Sequence, residues 1–165
     1  MRKLMVVFTA AALVGGAAWV VKADTGGGRT PLRCMDTMWQ TTEVSTSSTQ
    51  FAPVPGFKDS PESVFPISIN VSALVSGAPV QFRVLSTNAG SQTHASKPGV
   101  TRFVPSGGGP DSFAYLWVER NQSAAPHVNS LRLQWRSLSG NAVHLLRGDM
   151  SVEYDTEQGA CTGSL

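Results

Sequence analysis

The chain has 165 residues, with 13 Lys and Arg against 11 Asp and Glu and 41% hydrophobic residues, enough to build one domain with a sizeable core. Arg2, Lys3 and Lys22 carry the basic excess. If residues 1–23 are removed, ten basic residues face eleven acidic ones, so the counterion release that drives nucleic-acid binding has little to act on and nucleic acid is excluded as an expected partner.

Residues 1–23 have the layout of a secretory signal: Arg2 and Lys3, an apolar run from Leu4 to Val21, then Ala23 at the cut. Val21 and Ala23 take the third and first positions before cleavage, leaving Asp24 as the new N-terminus. The alternative, a retained anchor, is weakened by Gly15, Gly16, Ala17 and Ala18 within a run that only approaches spanning length. The expectation is a secreted protein, extracellular or in the periplasm or at the cell surface, with no stable membrane insertion after cleavage. Residues 24–33, with Gly26, Gly27 and Gly28 in succession, read as a flexible leader, and residues 34–165 as a single domain.

Beyond the leader the chain reads as short strands divided by Gly, Pro, Ser and Asn, with no helix. Phe65, Ile67, Ile69 and Val71 alternate with polar residues or proline, a period of two that buries one face of a strand. Val80, Phe82 and Val84 repeat the pattern, as do Leu131, Leu133 and Trp135, and then Met150, Val152 and Tyr154. Residues 113–118 are apolar at both parities and read as a central strand covered on both faces. Further strands are expected at Met38 to Val44, Val100 to Val104 and Ala142 to Arg147, with a turn at Gly148-Asp149. Residues 50–63, carrying Pro53, Pro55 and Pro61, read as an irregular connection or edge piece.

About eight strands in this spacing predict an all-β, antiparallel β-sandwich. The lone cysteines, Cys34 and Cys161, flank the strand region. In an oxidising compartment they are expected to form a disulfide, which requires the two ends of the domain to meet. That favours a jelly roll, which brings its terminal strands together, over an immunoglobulin-like sandwich with its cysteines inside the strand region.

If successive strands reverse direction, the links 86–99 and 120–127 and the turn at Gly148-Asp149 fall at one end of the sandwich. That end would gather His94, Lys97, Arg120, Asn121, His127, Arg147 and Asp149 as a candidate ligand-binding surface. Arg147-Gly148-Asp149 spells a tripeptide used by integrin ligands, but turn chemistry accounts for two of its three residues. Asn70-Val71-Ser72 and Asn121-Gln122-Ser123 match the glycosylation acceptor pattern.

Tests for chemistry give no catalytic or metal-binding assignment and no cofactor. His94, His127 and His144 lack metal-ligand spacing, and no Gly-x-Ser-x-Gly elbow occurs. Glu153, Asp155 and Glu157 would project to one side of an extended chain, read as a solvated strand edge. Trp39, Trp117, Trp135, Tyr115 and Tyr154 would offer a sugar-stacking platform if some point outward, but Trp117, Trp135 and Tyr154 follow the buried parity, and Trp39 is the least constrained of the set. Whether the chain is an enzyme stays open, with the balance toward none. The expected function is a secreted, non-enzymatic recognition or surface-interaction module for an extracellular carbohydrate or protein. The alternatives are a small secreted hydrolase whose site assembles only in the fold, and a structural component of an extracellular assembly.

Overall fold

The computed structural model describes residues 31–63, 65–88, 90–107, 109–120, 127–157 and 160–161. Residues 1–30, which include the expected signal and most of the expected leader, lie outside the described residues. In chain order the strands are β1 (Leu32–Gln40), β2 (Val44–Thr46), β3 (Ala52–Asp59), β4 (Glu62–Ser63), β5 (Ile67–Gly77) and β6 (Val80–Thr87). They continue with β7 (Thr93–Ala95), β8 (Thr101–Phe103), β9 (Asp111–Glu119), β10 (His127–Val128), β11 (Ser130–Ser137) and β12 (Val143–Thr156).

Two antiparallel sheets form the sandwich. The first has the order β1-β12-β5-β9, with β2 alongside the other end of β12. The second has the order β3-β11-β6, with β7 and β8 both on the free side of β6. The short strands β4 and β10 pair separately. With β1 and β2 taken as one interrupted strand, and β7 and β8 as another, every connection but one passes from one large sheet to the other; the exception is β6 to β7. This is a jelly-roll-type sandwich, in which the first and last strands lie side by side.

The alternation read from the sequence supplies the core. Ile67, Ile69 and Val71 of β5 and Met150, Val152 and Tyr154 of β12 are buried against Val80, Phe82 and Val84 of β6 and Leu131, Leu133 and Trp135 of β11. The Phe82 ring stacks on Phe113 with centroids 4.7 Å apart and lies 6.3 Å from Trp135, so aromatic contacts tie the two layers together. Adjacency of β1 and β12 also lets Cys34 and Cys161 bond, at a Cα–Cα distance of 5.6 Å.

Several expectations change. Gly148-Asp149 is not a turn, since both residues lie inside β12, paired with Ala73 and Ser72 of β5. The inward residues of β12 switch parity, from Val143 and Leu145 to Met150, Val152 and Tyr154. A bulge between Leu145 and Arg147 absorbs the extra residue. In a linear pattern that parity switch looks like two strands and a turn. Gly148 is required there for a different reason: a Cβ on it would stand 2.7 Å from the Ser72 carbonyl oxygen and 3.1 Å from the Ala73 Cβ.

Residues 113–118 belong to β9, an edge strand rather than a doubly covered one. Of the apolar residues on its outer parity, Ala114, Leu116 and Val118, the large Leu116 is 49% exposed. The strand expected at Met38 to Val44 is instead β1, which starts six residues earlier, followed by a break before β2. β3 is an edge strand, where Pro53 and Pro55 are tolerated because a missing N–H costs no ladder bond on the free side.

Candidate functional site

The outer face of the β1-β12-β5-β9 sheet carries an open groove of about 370 Å³ over the stretch where β12 bulges. Strand register sets its parts. Trp39 of β1 stands opposite Asp149 of β12, Asp149 opposite Ser72 of β5, and Ser72 opposite Ala114 of β9. The next outward row is Arg147, Leu74 and Ser112. Ser72, Ala114 and Ser112 are small, so the outer surface dips between Trp39 and the β9 edge. The bulge turns Arg147 to this face; unbroken alternation from Leu145 would have aimed it inward.

The groove combines an apolar plane with fixed polar groups. Trp39 is 71% exposed, whereas Trp117 and Trp135 are buried. The Ser72 Oγ donates to the Asp149 Oδ1 at 2.7 Å, which orients the carboxylate and leaves its other oxygen free of that bond. An exposed indole beside an oriented carboxylate, a hydroxyl and a guanidinium can stack on the apolar face of a ligand ring while bonding its polar edge.

The residues expected to cluster are divided between two places. Arg147 and Asp149 line the groove. His94, Lys97 and Arg120 gather at the other end of β9: Lys97 pairs with Val118, the His94 Nε2 lies 2.7 Å from the Glu119 Oε1, and Arg120 follows Glu119. Along β9, Ser112, which ends the row of Arg147 and Leu74, and Val118, which pairs with Lys97, are six residues apart, about 20 Å. The segment after β6 therefore meets the end of β9, whereas Gly148-Asp149 is no link at all. His127 begins β10, where its backbone pairs with Ser63, and Asn121 lies outside the described residues.

The His94 end resembles a catalytic set only as an inventory. Glu119, 3% exposed, is the centre: its Oε2 accepts from the Ser96 Oγ at 2.8 Å while its Oε1 meets His94. In a hydrolase triad the histidine stands between serine and carboxylate. Here the carboxylate stands between them, and Ser96 is 1% exposed with its proton committed to Glu119. The arrangement fastens the β7–β8 segment to β9. Elsewhere on the groove face, the Arg33 Nη2 donates to the Glu153 Oε2 at 2.7 Å, and this bond and charge raise the Arg33 pKa. Among the described residues, no three His, Cys, Asp or Glu side chains are grouped to hold a metal ion.

Trp39 was legible as unconstrained but not as part of a site. Its signal is parity: on β1, Cys34 and Met38 face the core, so Met35 and Trp39 are large apolar residues on the wet face. Displacing the strand to Met38–Val44 hid that mismatch.

Fold and groove together define a jelly-roll-type β-sandwich with an open, aromatic-flanked cleft on one sheet. No protein-family model and no curated protein matches the sequence. Among solved structures, the chain is similar to the VP2 subviral particle of infectious bursal disease virus, with a TM-score of 0.54, 10% identity, and coverage of 74% of this chain and 33% of that one. It is also similar to a mutant VP2 protein of that virus in T=1 particles (TM-score 0.51, 12% identity, 79% of this chain and 34% of the other). A third structure, of the Gt strain, gives a TM-score of 0.53 at 11% identity over 74% and 32%. The chain thus spans about a third of the length of these proteins, and the likeness is one of fold.

Proposed function

We propose that this chain is an exported, non-enzymatic recognition module that binds a carbohydrate in the groove between Trp39 and Arg147. Export rests on the signal layout of residues 1–23. Recognition rests above all on Trp39, a 71%-exposed indole next to the Ser72–Asp149 pair. A large apolar ring left in water beside pre-oriented polar groups gains by stacking on a ligand, and a sugar ring offers the matching apolar face and hydroxyl edge. The hydrolase alternative draws no support from the His94, Ser96 and Glu119 grouping, because its carboxylate stands in the middle.

A glycan array probed with the purified chain lacking residues 1–23 tests this reading, followed by titration of any hit while Trp fluorescence is read. Trp117 and Trp135 are buried, so a ligand-induced change reports Trp39. Trp39→Ala and Asp149→Ala should each weaken binding at least roughly tenfold, the loss of one stacking or charged hydrogen-bond contact. Binding that survives both substitutions unchanged refutes the site.

A second reading has its own support: a structural component of an extracellular assembly. The similar VP2 structures are of particles, and Met35, Trp39 and Leu116 expose apolar surface on this same sheet face. Sedimentation velocity across concentration separates the two. Assembly predicts larger species that dissociate in Trp39→Ala and Leu116→Ser, whereas a monomer at all concentrations removes this reading.

A further inference from the structure

The second sheet carries a feature that the linear sequence conceals. The outward positions of β6 are Gln81, Arg83, Leu85 and Thr87; those of β11 are Ser130, Arg132, Gln134 and Arg136. β3 contributes Lys58 and β8 contributes Arg102. Lys58, Arg83, Arg102, Arg132 and Arg136 therefore share one face, and among the described residues no Asp or Glu occupies an outward position on these strands or on β7. Half of the ten basic residues left after signal removal stand on this one surface. No basic stripe appears in the sequence because the five come from four strands.

The arrangement is costly on its own. Arg132 lies directly opposite Lys58 in the ladder, a like-charge pair that destabilises a sheet. The Arg83 and Arg136 guanidinium carbons lie 4.0 and 4.7 Å from the centroid of the one Phe51 ring. Their Nε atoms donate to Gln134 at 2.9 Å and to Gln81 at 2.8 Å, respectively. Neutral amides, not carboxylates, thus orient both cations and leave their charge uncompensated. Burial, followed by the charge of Arg136, lowers the Arg83 pKa, although a guanidinium stays charged at any ordinary pH. Neighbouring surface charges of one sign, held in place, create a field suited to an anionic partner.

We infer that the outer face formed by β3, β11, β6 and β8 is a docking surface for an extended acidic polysaccharide. From Arg102 to Lys58 the face crosses three strand spacings, about 14 Å, and from Arg132 to Arg136 it runs about 13 Å, a span suited to several repeating carboxylate or sulfate groups. The face is less suited to nucleic acid. Its aromatic ring, Phe51, is taken up by the two guanidinium groups and offers no stacking platform for bases, and the flat sheet presents no helix for a groove. The inference is independent of the Trp39 groove, which lies on the outer face of the other sheet.

The test uses the purified chain with heparin as the sulfated probe, polygalacturonate as the carboxylated one, and dextran as the neutral control. Single-stranded oligothymidylate and phosphatidylserine vesicles are the competing anions. At least one acidic polysaccharide should bind with affinity that falls as salt rises, while dextran does not bind. Lys58→Gln combined with Arg132→Gln, both at exposed positions, should weaken that binding roughly tenfold with unchanged circular dichroism. The charge-matched control, Arg33→Gln with Arg120→Gln, lies off this face and should change it less than about twofold. Arg102→Gln should give a smaller loss in the same direction. The inference is overturned if neither acidic polysaccharide binds, if both double variants lose affinity equally, or if the oligonucleotide or the vesicles bind more tightly than both polysaccharides.

Discussion

Replacing Gly148 by alanine tests the feature on which the groove depends, the continuity of β12 through the bulge. The added Cβ would stand 2.7 Å from the Ser72 carbonyl oxygen and 3.1 Å from the Ala73 Cβ. The closest of these atoms is backbone, so relief requires β5 and β12 to separate rather than a side chain to swing away. Overpacking of this kind costs about 1–3 kcal/mol, which for a domain of this size lowers Tm by roughly 3–10 °C. Gly77→Ala is the internal reference. Its Cβ would collide with the Ala142 carbonyl oxygen, and its φ of +92° is unfavourable to any L side chain, so about 1–2 kcal/mol of backbone strain is added to the clash. Urea unfolding of the two variants and the parent, with coincident fluorescence and circular dichroism transitions, should give the order parent, Gly148→Ala, Gly77→Ala in falling stability. Should Gly148→Ala fall within about 0.5 kcal/mol of the parent, as an ordinary surface exchange would, β5 does not approach β12 there and the groove geometry is wrong.

Three other outcomes follow from the same coordinates. Cys34→Ala with Cys161→Ala opens a loop with a sequence separation of 127, so the chain-entropy model sets a loss of about 5 kcal/mol as the upper end and about 2 kcal/mol as the lower; a loss under about 1 kcal/mol in urea would show that the β1–β12 ladder alone fixes the termini. Glu119→Ala leaves the buried Ser96 hydroxyl without its acceptor and should cost about 1–3 kcal/mol, with amide exchange rising in residues 93–99 ahead of the core strands. The Asp111 carboxylate accepts from the Ser106 amide, which lowers its pKa below the usual carboxylate value. Its contribution is therefore present above the unfolded pKa and lost as pH falls through the folded one. An acid titration followed by NMR should shift the Ser106 amide below about pH 4, and Asp111→Asn should abolish that titration.

Trp39 shows where legibility stopped. Its exposure follows from the parity of β1, yet the strand was expected to begin at Met38, since Arg33, Met35 and Asp36 blur the alternation around it. The bulge in β12 misled in the opposite sense. Periodicity marks the buried residues on both sides of it, but a parity switch has two physical causes, a turn or an inserted residue, and only the facing strand distinguishes them. The covered-strand reading of residues 113–118 failed similarly, because apolar side chains on both parities do not reveal whether another element covers the outer face.

By itself the sequence determined what local chemistry controls: which residues of β5, β6, β11 and β12 turn inward, the sandwich class that such alternation requires, and the pairing of its lone cysteines. Side-chain period is a property of the extended backbone, so it is written into neighbouring positions. Tertiary structure decided which outward residues stand together. The Trp39–Asp149–Ser72 row joins residues up to 110 positions apart, and the basic face joins five cations from four strands. Those groupings depend on strand order and register between distant segments, which no local pattern records.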